Sequence, residues 1–220
     1  IVGVVMTAAA RRSCQLALAA GQAQQQLQLR WGSQSCKNVF LSAAEEVLTA
    51  SERKSGAVRS SAKVTFTLGA FAFDVFVSDE QAKANVNVLA ELKGRQGLEV
   101  SLRNLQADLQ WSLPVCLGGG ESGPHNKGGP GVIGFNYVSL DQVFVFSHPS
   151  ELVGRGGLFG SPISRVTCWS DGKLNFRRAD PAVLREIMDG VLTENQVCEL
   201  VSFRAGTPDG TLGEALRHLQ

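Results

Sequence analysis

The stretch Asp79-Glu80-Gln81-Ala82-Lys83-Ala84-Asn85-Val86-Asn87 is the densest run of side chains that could do chemistry. Carboxylates at a strand end can ligate Ca²⁺ or act as general acid and base. Asp79 and Glu80 are adjacent, however, so on an extended backbone they point to opposite sides. Asn85 and Asn87 carry amides of the kind that satisfy backbone groups in turns. The stretch is therefore expected to be a hydrogen-bonded turn that locks a strand to the helix after it. No cofactor is expected; Ca²⁺ stays open as a ligand, without a specific motif for it.

Other reactive residue types are scattered. The five cysteines, at 14, 36, 116, 168 and 198, show no CxxC and no Cys/His metal spacing. An odd number cannot be fully paired within one chain, and small buried hydrophobes are the expected role. His125, His148 and His218 are expected on the surface or in loops. No GxSxG, no HExxH and no nucleophile with a nearby histidine is visible, so no enzyme is expected. Residues 118–131, GGGESGPHNKGGPG, match a dinucleotide-binding fingerprint only formally. Pro124 follows at once and no helix pattern opens there, so the run reads as a mobile linker.

Composition narrows the partners. A chain of 220 residues can hold one sizeable core or two small domains. A net charge of +1 with 19% charged residues leaves no electrostatic footprint for nucleic acid or an acidic membrane surface.

Three kinds of element must position these residues. Ile1–Ala10 is apolar or small and is followed by Arg11-Arg12, which reads as the end of a truncated transmembrane helix. A long helix continues over 11–50 without a proline, weakened only at Gly21 and Gly32. Its first part, with Leu16, Leu27 and Trp31, is expected to face neighbours. Its second part, with Val39, Phe40, Ala43, Val47 and Leu48, is expected to face a sheet. Residues 51–63 read as a polar connector. Period two then sets in: Val64, Phe66 and Leu68, and beyond Gly69 the set Phe71, Phe73, Val75 and Val77, predict two antiparallel strands. Residues 111–117 are strand-like. The C-terminal end is predicted to hold three helices. They start at Asp180-Pro181, at Thr193 with Gln196, and at Thr211 with Glu214. Val183, Leu184, Ile187 and Met188 share one face of the first, and Val197, Leu200 and Val201 one face of the second.

The order of these parts resembles the K-type minor pseudopilin (GspK) family of type II secretion systems. A strand ends in DE-x-x-K-x-N-x-N, carried by Asp79, Glu80, Lys83, Asn85 and Asn87, and a helix follows. SLDQVF and SHPSELVG resemble the family's "EL" helix. ISRVTCWSDGKLNFRRADPAVLREI resembles its "iN-x-x-A-x-x-x-L" segment, whose Asn and Ala fall on Asn175 and Ala179. The leader, the cleavage-site glutamate, most of the membrane helix and the closing strands of that family are not in the sequence, so a fragment is expected.

The resemblance implies an α+β fold: a long N-terminal helix on a small antiparallel sheet, with an inserted helical domain. The corresponding division is 51–117 for the pseudopilin-like region, 118–131 for the linker and 132–220 for the helical domain. It implies a non-catalytic subunit at a pseudopilus tip, single-pass in the bacterial inner membrane with a periplasmic body. Its partners would be other minor pseudopilins, the secretion machinery and exported proteins. Leu184, Ile187, Val197 and Leu200 are the expected packing face of the C-terminal cluster.

That cluster also resembles a helix-hairpin-helix module, the rival reading being a DNA-binding protein of the competence type. Its hairpin, Asp189-Gly190-Val191-Leu192-Thr193, has one glycine where a phosphate-binding hairpin typically has two. Its arginines are nearly balanced by acids, which tells against a positive binding surface.

Overall fold

The computed structural model describes residues 2–69, 71–118, 136–148, 151–152, 160–207 and 212–219, with the backbone alone at 2–10, 212 and 218. The protein is of the α+β class, and the described residues include helices, a two-stranded antiparallel sheet and a two-stranded parallel one. Two compact units divide it. One comprises residues 1–47 and 63–77, the other 48–62 and 78–220. Residues on both sides of 118–131 share one apolar core. Residues 119–131 themselves lie outside the described residues.

In the first unit, helix α1 spans Val2–Ser42. Its backbone bonding runs on through Ala43 into α2, Ala44–Ser55, whose residues from Leu48 on belong to the second unit. The helix thus reaches Ser55, five residues into the expected polar connector. Glu52, Arg53 and Lys54 are good helix formers whose charge density alone suggests a loop. Gly56, at φ +66°, ends it in the left-handed conformation that glycine adopts freely. Strands β1 (Ser61–Leu68) and β2 (Phe71–Ser78) form the antiparallel pair. Val64 and Phe66 are half-buried while Thr65 and Thr67 are exposed, as period two requires; Leu68 is exposed as well.

The face that α1 turns to the sheet is built on small residues. Gly32 and Cys36 are buried and Phe40 is half-buried, at helical spacing of four. Val39, expected on that face, is exposed. Phe40 packs on Phe66 with ring centroids 5.5 Å apart, and Phe66 stacks on Phe73 at 5.5 Å. A Cβ at Gly32 would lie 2.4 Å from Cζ of Phe73. Gly32→Ala should therefore push Phe73 out of its stack and lower stability by about 1–3 kcal/mol, the usual cost of overpacking. Gly21 meets nothing within 4 Å. Gly21→Ala should instead add about 1 kcal/mol through helix propensity. Urea denaturation of both variants checks the opposite signs; a stabilised Gly32→Ala would refute the packing argument.

The second unit holds the main core. Helix α3 covers Val86–Asn104 but breaks at Gly94, whose φ of +67° and ψ of −179° suit glycine alone. It buries Val86, Leu89, Ala90, Leu98 and Leu102. Helices α4 (Pro181–Met188) and α5 (Glu194–Gly206) pack in the same core through Val183, Leu184, Val197 and Leu200. Ile187 is half-buried at its edge, and α6 (Leu212–His218) adds Ala215. The starts are as expected: the Asp180 carboxylate accepts from Ala182 N–H, and Thr193 and Gln196 form a capping box. Thr211, half of the third expected box, lies outside the described residues.

Between α3 and α4, Glu151 and Leu152 of the expected helix are helical, whereas SLDQVF is not. SLDQVF forms a 3₁₀ turn at Leu140–Gln142 that seats Leu140, Val143 and Phe144 in the core. Of SHPSELVG, Pro149, Ser150, Val153 and Gly154 lie outside the described residues. The 111–117 segment, expected to be strand-like, forms only an isolated antiparallel bridge, Val115 to Phe144.

Candidate functional site

The DEQAKANVN stretch is a junction. Asp79 caps a 3₁₀ turn, Glu80–Ala82, by accepting from Gln81 N–H at 3.0 Å. Strand β3, Ala84–Asn85, follows and pairs in parallel with β4, Val166–Thr167. Asn85 then starts α3: its Oδ1 accepts from Asn87 N–H at 2.8 Å and Val88 N–H at 3.3 Å. A short polar side chain is what an N-cap needs, because the first turn of a helix leaves its N–H groups without partners.

The same side chains reach far along the chain. Asn85 Nδ2 donates to the backbone oxygen and hydroxyl of Ser170, at 2.8 and 2.9 Å. Asn87 Nδ2 donates to Tyr137 O at 3.0 Å, and Tyr137 N–H donates to Asn87 Oδ1 at 2.7 Å. That amide does what a backbone peptide does in an antiparallel pair. Asn175 N–H donates to Gln81 O at 2.7 Å, and its Nδ2 donates to Asp79 Oδ2 at 2.6 Å. Ala179 is buried beside it, its N–H donating to Asn175 O at 3.0 Å.

Ion pairs surround this junction. Asp79 and Glu80 diverge, as adjacency predicts. Asp79 lies 3.8 Å from Arg178 Nη1, whereas Glu80 accepts from buried Lys83 at 2.5 Å, and Lys83 also donates to Ser78 Oγ at 3.0 Å. Burial works to raise the Glu80 pKa, but the charge and hydrogen bond of Lys83 outweigh it and hold the carboxyl below its ordinary value. Arg178 Nε donates to Glu52 at 2.7 Å, and Arg177 Nη2 donates to the other oxygen of Glu52 at 2.9 Å. Arg165 donates to Asp108 and lies 3.3 Å from Asp180. Lys93 donates to Glu186 at 2.6 Å and to Asp189 at 3.0 Å, joining α3 to α4. Burial alone would raise the Glu186 pKa; the bonds from Lys93 and Asn104 turn the shift downward.

The structure therefore brings Asp79, Asn85, Asn87, Asn175 and Ala179 into one junction, with Glu80 and Lys83 as a flanking pair. Leu184, Val197 and Leu200 belong to the core. Glu52, Arg178, Tyr137 and Ser170 escaped the sequence reading. The one signal for the first two was charge set among apolar positions, at helical spacing on α2 and just before α4.

The Asp79 oxygens accept from Gln81 N–H and the Asn175 amide, Glu80 Oε1 accepts from Lys83 and Ser78, and the Asn85 and Asn87 amides bond backbone groups, whereas the buried Glu80 Oε2 has no hydrogen-bond partner among the described residues. Among the described residues, no three His, Cys, Asp or Glu side chains could hold a metal ion together. The Cys168 thiol is pushed up to about 12, first by burial, which keeps it in the unreactive protonated form. In the α4–α5 hairpin, Val191 and Leu192 N–H donate to Met188 O, at 2.9 and 3.0 Å, so these groups are already used. Among the described residues, no helix is long and apolar enough to cross a membrane. No family model matches the chain, and neither a curated protein nor a solved structure is similar to it.

Proposed function

We propose that this protein is a non-catalytic minor pseudopilin of the K type. It would work by packing with other minor pseudopilins at the tip of a type II secretion pseudopilus during protein export. In this reading the start of the chain is anchored in the bacterial inner membrane, the body is periplasmic and nucleic acid is not a partner. The observation that carries it is the uncovered apolar surface of α1. Leu16 is 64% exposed, Leu18 69%, Leu27 57% and Trp31 69%. At 1.5 Å per residue, a helix of 41 residues extends about 60 Å. Each such side chain gains about 1.5–3 kcal/mol when fully buried, so a bundle of like helices is a favourable home for them. The junction around Asp79, Asn85, Asn87 and Asn175 supports the reading through the resemblance that those residues carry.

The test is co-purification of the protein with the other minor pseudopilins of its source, beside a DNA titration at low salt. A stable complex is expected, lost in Leu27→Glu and Trp31→Glu. Both sites are exposed, so circular dichroism should be unchanged. Salt-sensitive DNA binding without pseudopilin association would instead favour the helix-hairpin-helix reading.

A further inference from the structure

A cavity of about 240 Å³ opens in the second unit beside the start of α4 and the end of α5. Arg59, Ser61, Ser164, Asp180 and Arg204 are among the residues lining it. Its charges are unevenly spent. The Asp180 carboxylate caps α4 and lies 3.3 Å from Arg165. Arg178, also at the wall, is bonded to Glu52. Among the described residues, Arg59 and Arg204 make no ion pair.

Arg204 is held in place without being neutralised. Its Nη1 donates to Phe176 O at 3.0 Å and to Ala179 O at 2.5 Å, and its guanidinium lies 5.9 Å from the centre of the Phe176 ring. A guanidinium has five N–H donors, so Nε and Nη2 retain three. Arg204 is half-buried and lines the cavity. The Nε–Nη2 edge is one of the forks that fit a carboxylate with two parallel hydrogen bonds. Burial pushes the pKa of this guanidinium below its ordinary value despite the nearby Asp180, as expected of a cation lacking a close counter-charge.

Of the charged residues lining the cavity, Asp180 lies beside Arg165 and Arg178 is bonded to Glu52, so Arg59 and Arg204 leave the lining positive, which suits an anion.

We propose that this cavity is a carboxylate-binding site, in which the free edge of Arg204 takes the two oxygens and Arg59 closes over the charge. The inference stands apart from the pseudopilin reading, since it uses neither α1 nor any assembly. The carboxylate could belong to a free small acid or to an acidic side chain of another protein, and the test separates these sources.

The ¹⁵N–¹H signal of the Arg204 Nε–H is followed in the full chain at constant ionic strength. Sodium acetate, acetyl-glutamate amide, sodium phosphate and sodium chloride are titrated in turn. Saturable shifts with the two carboxylates, at millimolar concentrations, are expected. Arg59→Gln, at an exposed position, should weaken binding about tenfold, as loss of a charge-assisted contact does. Arg204→Lys keeps the charge but loses the fork; followed through the Ala179 and Ser164 amides, it should also bind about tenfold more weakly. Acetate binding at least as tightly as the glutamate derivative marks a free acid; the reverse order marks a protein side chain. Shifts matched by chloride, binding unaltered by both substitutions, or tighter binding of phosphate than of acetate would each overturn the assignment.

Discussion

Glu52→Ala should lower stability by about 3–5 kcal/mol, the range found when one partner of a buried ion pair is removed. For a chain of this size that corresponds to a fall of about 10 °C in Tm. The side chains of Glu52 and Arg178 are only 7% and 3% exposed, so water cannot take over the lost interaction. Glu52 holds both Arg177 and Arg178 and ties α2 to the segment before α4. Asp79, at 3.8 Å from Arg178, is too far to replace it. It is also committed to Asn175 and to the Gln81 N–H. Arg177→Ala is the internal control. That side chain is 34% exposed, so its loss should cost under about 1 kcal/mol. Guanidinium denaturation at neutral pH measures both. A Glu52→Ala variant as mild as Arg177→Ala would show that this pair does not hold the unit together.

Asn87→Ala should cost about 2–4 kcal/mol, because one substitution strips two hydrogen bonds from the backbone of Tyr137. Tyr137 is 2% exposed, and its side chain is part of the core that the bonds keep in register. Asn87→Asp separates geometry from volume. The acid keeps an acceptor for Tyr137 N–H but turns a second oxygen towards Tyr137 O, so it should destabilise about as much as alanine despite its nearly equal size. Thermal unfolding of the two variants gives the comparison. Unchanged stability with reduced partner binding would move Asn87 from the junction to an interface.

Both effects arise from contacts that the sequence did not display. What it displayed was local. Asp180 caps α4 through a residue two positions on, and Thr193 with Gln196 caps α5 within a single turn. Such bonds close within a few residues, so residue type and spacing suffice to predict them. The half-buried face of β1 followed from period two for the same reason: alternate side chains on a strand must face alike. The adjacency of Asp79 and Glu80 likewise foretold that their carboxylates would part.

Where locality ended, expectation went astray. Polarity alone marks Ser51 to Ser55 as a connector. A helix propagates through polar residues, however, and the burial of Glu52 depends on arginines 125 and 126 positions later. The helical reading of residues 139–144 missed that Leu140, Val143 and Phe144 enter the core from a 3₁₀ turn, beside a segment that pairs with it. Glycine at 32 looked only like a weakness of α1; the Phe73 ring seated on it gives the missing side chain a use.

By itself, then, the sequence determined the α+β class, the paired strands, the capped helices near the C-terminus and a turn built on Asp79, Asn85 and Asn87. Tertiary structure alone decided that the turn is closed by Tyr137, Ser170 and Asn175, and that Glu52 neutralises Arg178. It alone left Arg204 with donors to spare. Caps and strand faces come from geometry repeated every few residues, whereas these partners are chosen by where the chain returns after 50 residues or more. That return is set by the packing of α3, α4 and α5 into one core, a property of the whole unit rather than of any window along it.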